Sequence, residues 1–189
     1  MALTPTRHEY RLTLSHVDAA QHLEETVVVA RHPSETAEHL ALRMLAWCLL
    51  RREGLAFGAG LSDGDASDLC IEVPGGYALW VECGAAELEK LRRVASQNSG
   101  AAVEVVFSGP RRRAELLAQL AGHQKSRKGL DRVRLHTVEA GLVAALARHE
   151  ERRQQWTVTI VEGHLYLEVD GETFDGAVET AMLLDAERP

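Results

Sequence analysis

The stretch His32-Pro-Ser-Glu-Thr-Ala-Glu-His-Leu-Ala-Leu-Arg-Met-Leu-Ala-Trp-Cys-Leu-Leu-Arg-Arg-Glu-Gly54 decides how the rest of the chain reads. It has the marks of one helix with defined ends. Pro33 and Ser34 supply a fixed φ and a side-chain cap, and Glu35 puts negative charge in the first turn, where the helix dipole favours it. Arg51 and Arg52 fall in the last turn, with Gly54 placed for a left-handed C-terminal cap. Ala37, Leu40, Ala41, Met44, Leu45 and Cys48 form one apolar stripe, and Leu42, Ala46, Trp47, Leu49 and Leu50 make the other side apolar too. A helix apolar nearly all round belongs in a core. The exception is a narrow line, Glu35, His39 and Arg43, stacked at i, i+4 and i+8. By residue type alone that line reads as a solvated ridge.

Working outward, the 189 residues suit one domain, and the 46% hydrophobic composition is enough for a packed core. No run is long enough to span a bilayer, and Met1-Ala-Leu-Thr-Pro-Thr6 lacks the basic-then-apolar layout of a signal peptide. Cys48, Cys70 and Cys83 are odd in number, form no CxxC pair and lie in apolar segments, which predicts buried free thiols in a reducing cytoplasm. No membrane partner is expected, and a monomer is favoured. The net charge of -7 excludes a wholly basic nucleic-acid coat, yet the charge is uneven. From Arg111 to Arg134 there are eight basic residues against two acidic ones, a net +6 that leaves -13 on the rest of the chain. Arg111, Arg112, Arg113, Lys125, Arg127 and Lys128 are the candidates for phosphate contacts; a solubilising loop is the other reading.

Before the helix, Glu9 to His16 and Glu24 to Ala30 read as strands. After it come a bent strand from Leu55 to Leu61, a polar loop from Ser62 to Ser67, and strands Asp68 to Val73 and Tyr77 to Cys83. The second of these is apolar on both faces and predicts an interior strand, with Glu82 breaking the pattern at its end. A helix from Ala85 to Gln97, a buried strand from Ala101 to Phe107, and a helix from Gly109-Pro110 to Ala121 follow. Then come a strand from Val133 to Val138, a helix from Glu139 to Arg152, and a hairpin of Trp156 to Val161 with His164 to Val169. Glu172 to Phe174 is a possible further strand before a frayed end. The alternation implies an α/β fold, a mixed central sheet with flanking helices and hairpins at both ends.

The chemistry centres on the hairpin at Pro74-Gly75-Gly76. A three-residue loop, the preferred reading, sets Val73 opposite Tyr77 and therefore Asp68 opposite Glu82; a two-residue loop shifts the register by one and pairs Asp68 with Cys83. Directly opposed side chains share a face with β-carbons about 4.5–5.5 Å apart. Two carboxylates so placed repel unless a proton or cation sits between them, and a hard divalent ion is often held by one or two carboxylates plus water and phosphate. Against this stands the plainer possibility that Asp68 only starts its strand while Glu82 pairs with an arginine.

His32-Pro-Ser-Glu-Thr36, then Leu42-Arg-Met-Leu-Ala-Trp47 and Ala78-Leu-Trp-Val-Glu-Cys-Gly84, resemble the YaeQ family of small bacterial proteins. The likeness extends to Val28-Val-Ala-Arg-His-Pro33, Gly60-Leu-Ser62 and the hairpin near Trp156 to Asp170. It implies a compact variant of the PD-(D/E)XK nuclease fold, with a nuclease-like core over about 32–108, the basic segment 111–134, and a C-terminal helix and hairpin over 139–175. Carried over, Glu35 is the carboxylate from the first helix, Asp68 stands for the aspartate of the PD element, and Glu82 for the acidic residue of (D/E)XK. All three would be ligands to Mg²⁺ or Mn²⁺ in phosphodiester hydrolysis on nucleic acid. The resemblance departs at three places. The motif's lysine position is Gly84; relatives supply a lysine from the next helix, where this chain has Arg92-Arg93, leaving Lys90 or Arg93 as the cationic helper. Ala78 stands where relatives have an acid. A nuclease-fold protein that has lost catalysis and binds nucleic acid or a protein is the alternative expectation.

Overall fold

The computed structural model describes residues 4–58, 66–122 and 127–186. In chain order its elements are β1 (Thr6–His16), β2 (Gln21–Arg31), α1 (Ala37–Leu49), β3 (Ala56–Phe57), β4 (Leu69–Val73), β5 (Gly76–Cys83), α2 (Leu88–Gln97), β6 (Ala102–Ser108), α3 (Pro110–Ala121), β7 (Val133–Val138), α4 (Ala140–Leu146), β8 (Arg153–Val161), β9 (His164–Val169) and β10 (Glu172–Met182). All ten strands share one mixed sheet in the order β2-β1-β8-β9-β10-β7-β6-β5-β4-β3. The β1/β8, β5/β6 and β6/β7 pairs are parallel and the others antiparallel.

Alternation in the strands sets the layers. Tyr10, Leu12 and Leu14 of β1 point to the same interior as Trp156 and Val158 of β8 and Leu165 and Leu167 of β9. α1 lies in that interior, with Leu40 through Cys48 buried continuously, and α4 adds Leu142, Val143 and Leu146. The other face of the β5–β7 region is covered by α2 and α3, where Trp80, Val103, Val105 and Phe107 meet Leu91, Leu116 and Leu120. That double cover explains why β6 is apolar on both faces, with the one exception of Glu104. Glu104 is buried but bonded to His136 Nε2 at 2.8 Å. The three cysteines are buried and free. Among the described residues no helix is long and apolar enough to cross a membrane.

Several element ends depart from what the sequence predicts. α1 begins at Ala37, not Ser34: Thr36 is its cap, with an extended backbone and an Oγ1 that accepts from the His39 N–H at 3.1 Å. The helix ends at Leu49, and Gly54, with φ +80, serves the following turn rather than the cap. β3 is only two residues long, and residues 59–65, including Gly60 to Ser62, lie outside the described residues. α4 stops at Leu146 because Gln154, itself buried, pulls the chain into a loop by donating to the carbonyls of His149 and Glu151 at 2.7 and 3.0 Å. The short strand expected at Glu172 to Phe174 is instead long: β10 runs eleven residues, pairing Glu172–Ala177 with β9 and Val178–Met182 with β7, and of the end expected to fray, residues 187–189 lie outside the described residues.

Candidate active site

The β4–β5 hairpin keeps the expected register but not the expected turn. Val73 pairs with Gly76 across a two-residue turn, Pro74-Gly75, not a three-residue loop. Proline followed by glycine at φ +86 has the form of a type II turn. The expected register nonetheless returns further in, with Leu69 opposite Val81 and Ile71 opposite Leu79, because a β-bulge intervenes. The extra residue is Ala78, between the Glu72–Tyr77 and Ile71–Leu79 pairs. A bulge absorbs one residue and adds twist, so the turn is short but the pairing recovers. At the far end the Asp68 N–H donates to the Val81 carbonyl at 2.9 Å, and the Asp68 carboxylate turns toward the next backbone amide, accepting from the Cys83 N–H at 2.7 Å.

Three cationic side chains meet the three carboxylates. Glu35 is not in the helix. It closes a turn with His32, its N–H donating to the His32 carbonyl at 2.9 Å while its side chain accepts from the His32 N–H at 3.1 Å. Arg43 Nη1 reaches both Glu35 oxygens, at 3.1 and 3.3 Å. Both residues are almost fully buried (3% and 1% exposed), so the expected solvated ridge is an internal ion pair. The same guanidinium lies over the Phe57 ring and brings its Nε to 3.6 Å from Asp68 Oδ1, which pairs with His39 Nε2 at 3.0 Å. On β5, Glu82 meets Lys90 of α2, whose Nζ lies 3.1 Å from Oε1 and 2.8 Å from Oε2 and also donates to the Ala66 carbonyl at 3.2 Å. Only the Oε1 contact has hydrogen-bond direction, so the buried Oε2 keeps close charge but no directed donor. Lys90 is further fixed over the Trp80 ring, 5.0 Å from its centroid.

These surroundings shift the protonation equilibria. Burial raises the Glu82 pKa to about 7; the hydrogen bond and charge of Lys90 oppose the rise, and the Asp68 charge adds to it. Burial works against a charged His39, but its hydrogen bond to Asp68 and the charges of Asp68 and Glu35 outweigh it and lift the pKa above the ordinary histidine value. The Cys83 thiol, wholly buried, is pushed well up and is inert as a nucleophile.

Gly84 explains the displaced lysine. Its φ is +83, and a Cβ there would lie 3.5 Å from His39 Nδ1. A lysine at that position costs about 1–2 kcal/mol in left-handed backbone alone. The cation comes instead from the first turn of α2, through Lys90. Arg93 is exposed on that helix. Asp68 and Glu82 lie within charge range of each other. Among the described residues, Glu35, Asp68 and Glu82 do not offer three ligand atoms within 4.8 Å of one another; the cluster that does is His149, Glu151 and Asp170. His39 and Arg43 belong to the site although their residue types assigned them no role. The signal is their spacing from Glu35, at i+4 and i+8.

The basic segment is partly occupied with the fold. Arg111 and Arg112 both bond Glu115, at 3.2 and 2.7 Å, and Arg113 bonds Glu179 of β10 at 3.0 Å. Arg132 holds the carbonyls of Asn98, Ser99, Ala101 and Ala95, which ties the end of α2 to the start of β6. Arg127 and Lys128 are exposed, and Lys125 lies outside the described residues.

Known proteins share this fold over nearly the whole chain. The crystal structure of YaeQ protein from Xanthomonas axonopodis pv. citri superposes with a TM-score of 0.84 at 23% identity, covering 95% of this chain and 99% of that one. That of YaeQ protein from Pseudomonas syringae gives 0.79 at 24% identity, covering 93% and 95%. In sequence the chain is 29% identical to the YaeQ protein of Salmonella typhi over 168 residues and 28% identical to that of Escherichia coli K12 over 173, with about nine-tenths of each chain covered. None of these names states a reaction. The YaeQ protein family's sequence profile matches residues 1–178, and the chain belongs to the YaeQ family.

Proposed function

We propose that this chain is a divalent-metal-dependent phosphodiesterase acting on nucleic acid, on a compact variant of the PD-(D/E)XK fold. The observation that carries the reading is the Glu82–Lys90 pair beside Asp68: a half-buried carboxylate whose buried Oε2 lacks a directed donor, a lysine within 3.1 Å, and a second carboxylate at the end of the adjacent strand. That donor set fits a Mg²⁺ or Mn²⁺ held by two carboxylates with water completing the shell. Asp68 and Glu82 would hold the ion, which supplies charge to the scissile phosphate and acidifies a bound water. Glu35 acts as a positioning residue through Arg43, which in turn steadies Asp68. His39 holds Asp68 Oδ1 in place, and Lys90 stabilises negative charge that develops on the phosphate oxygens.

The internal ion pairs support a second reading. Arg43 already lies between Glu35 and Asp68, where it neutralises charge that a metal would otherwise meet. On that reading the site has lost catalysis, and the scaffold binds nucleic acid through Arg111, Arg112, Arg113, Arg127 and Lys128. One experiment separates the two: Mn²⁺-dependent cleavage of mixed single- and double-stranded DNA and RNA by wild type, Glu82→Gln and Lys90→Met. Activity in the wild type that falls about 10²–10⁴-fold in Lys90→Met and vanishes in Glu82→Gln supports the enzyme. No cleavage above the Glu82→Gln background in any substrate sinks it.

A further inference from the structure

A different hollow, of about 260 Å³, opens where four segments meet: the start of β1, the end of β2, the His32 turn, and the loop from α4 to β8. It is lined by Thr6, His8, Arg31, His32, Glu150 and Arg152. This volume lies under the roughly 300–1,000 Å³ of pockets that take drug-sized ligands, and nearly every lining side chain is polar. The backbone builds it firmly. Arg31 stands directly opposite Thr6 in the β1/β2 register. The Arg152 carbonyl accepts from the Glu9 N–H at 2.7 Å, and Arg31 Nε donates to the Glu35 carbonyl at 3.1 Å, which fixes the plane of the guanidinium. Among the described residues neither Arg31 nor Arg152 forms an ion pair with a carboxylate.

His8 is the unusual member. It is only 3% exposed, and its Nδ1 is buried with no hydrogen-bond partner. Burial, and then the charges of Arg31 and Arg152, lower its pKa, while the Glu151 backbone and the Glu35 charge oppose that. Two guanidinium groups are thus held close to a neutral imidazole whose ring is incompletely satisfied. An unpaired polar atom in such a place is costly, and like charges gathered in a hollow want a counter-charge.

We infer that this hollow is a binding site for a phosphate monoester or inorganic phosphate. Two arginine forks, a histidine from the turn and a threonine hydroxyl offer more donors than the two oxygens of a carboxylate can use, and planar guanidinium groups suit tetrahedral oxyanions. Glu150 adds selectivity. Its carboxylate repels a fully ionised anion but accepts the P–OH that a monoester retains near its second pKa of about 6. Sulfate has no such hydrogen. The site shares no residue with the metal-binding reading, although Arg31 and His32 both bond Glu35.

The test is calorimetric titration of the full chain with inorganic phosphate, and separately with sulfate, in EDTA-containing buffer near pH 6.5. Phosphate is expected to bind at millimolar or tighter concentration, sulfate at least about tenfold more weakly, and Arg31→Gln/Arg152→Gln to lose at least about tenfold in phosphate affinity. Arg152→Gln alone removes an exposed side chain and keeps the test available should the double variant unfold. Two further probes locate the source of the phosphate. A 5′-phosphorylated oligonucleotide that binds more tightly than its 5′-hydroxyl twin and than glycerol 3-phosphate assigns the site to nucleic-acid ends; equal binding of both phosphate monoesters assigns it to small phosphorylated molecules. No phosphate binding, or equal binding by wild type and Arg152→Gln, overturns the inference.

Discussion

Metal affinity at Asp68 and Glu82 should be set by a proton. Glu82 has its pKa raised to about 7 by burial, so in the folded protein its carboxyl competes with the ion for H⁺ across the neutral range. The ion binds only the ionised form, and binding therefore releases a proton. With a pKa near 7, about one carboxyl in ten is ionised at pH 6 and about one in a hundred at pH 5, so the apparent Mn²⁺ dissociation constant should rise about tenfold per pH unit below 7 and level off above about pH 8. From pH 8 to pH 5 that is roughly a hundredfold, or about 2.7 kcal/mol. His39 adds to the trend in the same direction, since its raised pKa leaves it charged beside Asp68 as the pH falls. Calorimetry in buffers of different ionisation enthalpy reads both the affinity and the proton released. His39→Gln should keep the slope near one, and Glu82→Gln should abolish binding. An affinity independent of pH from about 5.5 to 8, with no proton release, would refute the assignment of Glu82 as the titrating ligand.

Stability should show the same protons. Both Glu82 and His39 have folded pKa values above their unfolded ones, so each stabilises at low pH and loses that contribution as pH rises through its folded value; the urea midpoint should fall between about pH 4.5 and 7 in the wild type and fall less in Glu82→Gln. Glu35→Ala strands the buried Arg43 charge and should cost about 3–5 kcal/mol, or roughly 6–20 °C in Tm by calorimetry; a loss under about 1 °C would show the pair to be exposed in solution. Gly84→Lys restores the motif lysine on paper but should lower stability by about 1–2 kcal/mol and add no cleavage, because the backbone there is left-handed; a gain in activity would show that Lys90 is not the helper. Replacing Arg111, Arg112 and Arg113 with glutamine should flatten the salt dependence of nucleic-acid binding by about 0.7–0.9 in log–log slope for each phosphate that no longer meets an arginine, and an unchanged slope returns those side chains to their pairing with Glu115 and Glu179.

Much of the fold is legible in the sequence because period and burial agree. β1 alternates and buries alternate residues; Val133–Val138 is readable to its ends because both flanks carry residues that break a strand. The site is legible in part. Asp68 and Glu82 reach neighbouring strand ends through the inner register, yet by way of a short turn and a bulge, and nothing in the residues of β5 announces a bulge at Ala78. The Glu35 line misleads because charged residues at helical spacing face solvent by default, and only the tertiary surroundings of Arg43, with Ala30 of β2, Phe57 of β3 and Asp68 beside it, turn that side inward. β10 escapes for the opposite reason. Its residues, Glu172 to Met182, mix charged and small residues with a glycine and show no sustained apolar alternation, so propensity is weak, and pairing with strands on both sides supplies what local sequence lacks.

That last strand has a consequence for when the protein becomes whole. Residues 172–177 complete the half of the sheet that carries β1, β2, β8 and β9, and residues 178–182 complete the half that carries the site. Among the described residues it is the one seam between them in the sheet. During synthesis the site's own strands and helices emerge early, yet the two halves join through hydrogen bonds only after Glu172 to Met182 has left the ribosome. A nascent chain stalled before residue 172 should therefore hold two sheet fragments with open edges, and its vulnerability to aggregation should end with the arrival of eleven residues that supply none of the site's carboxylates or cations.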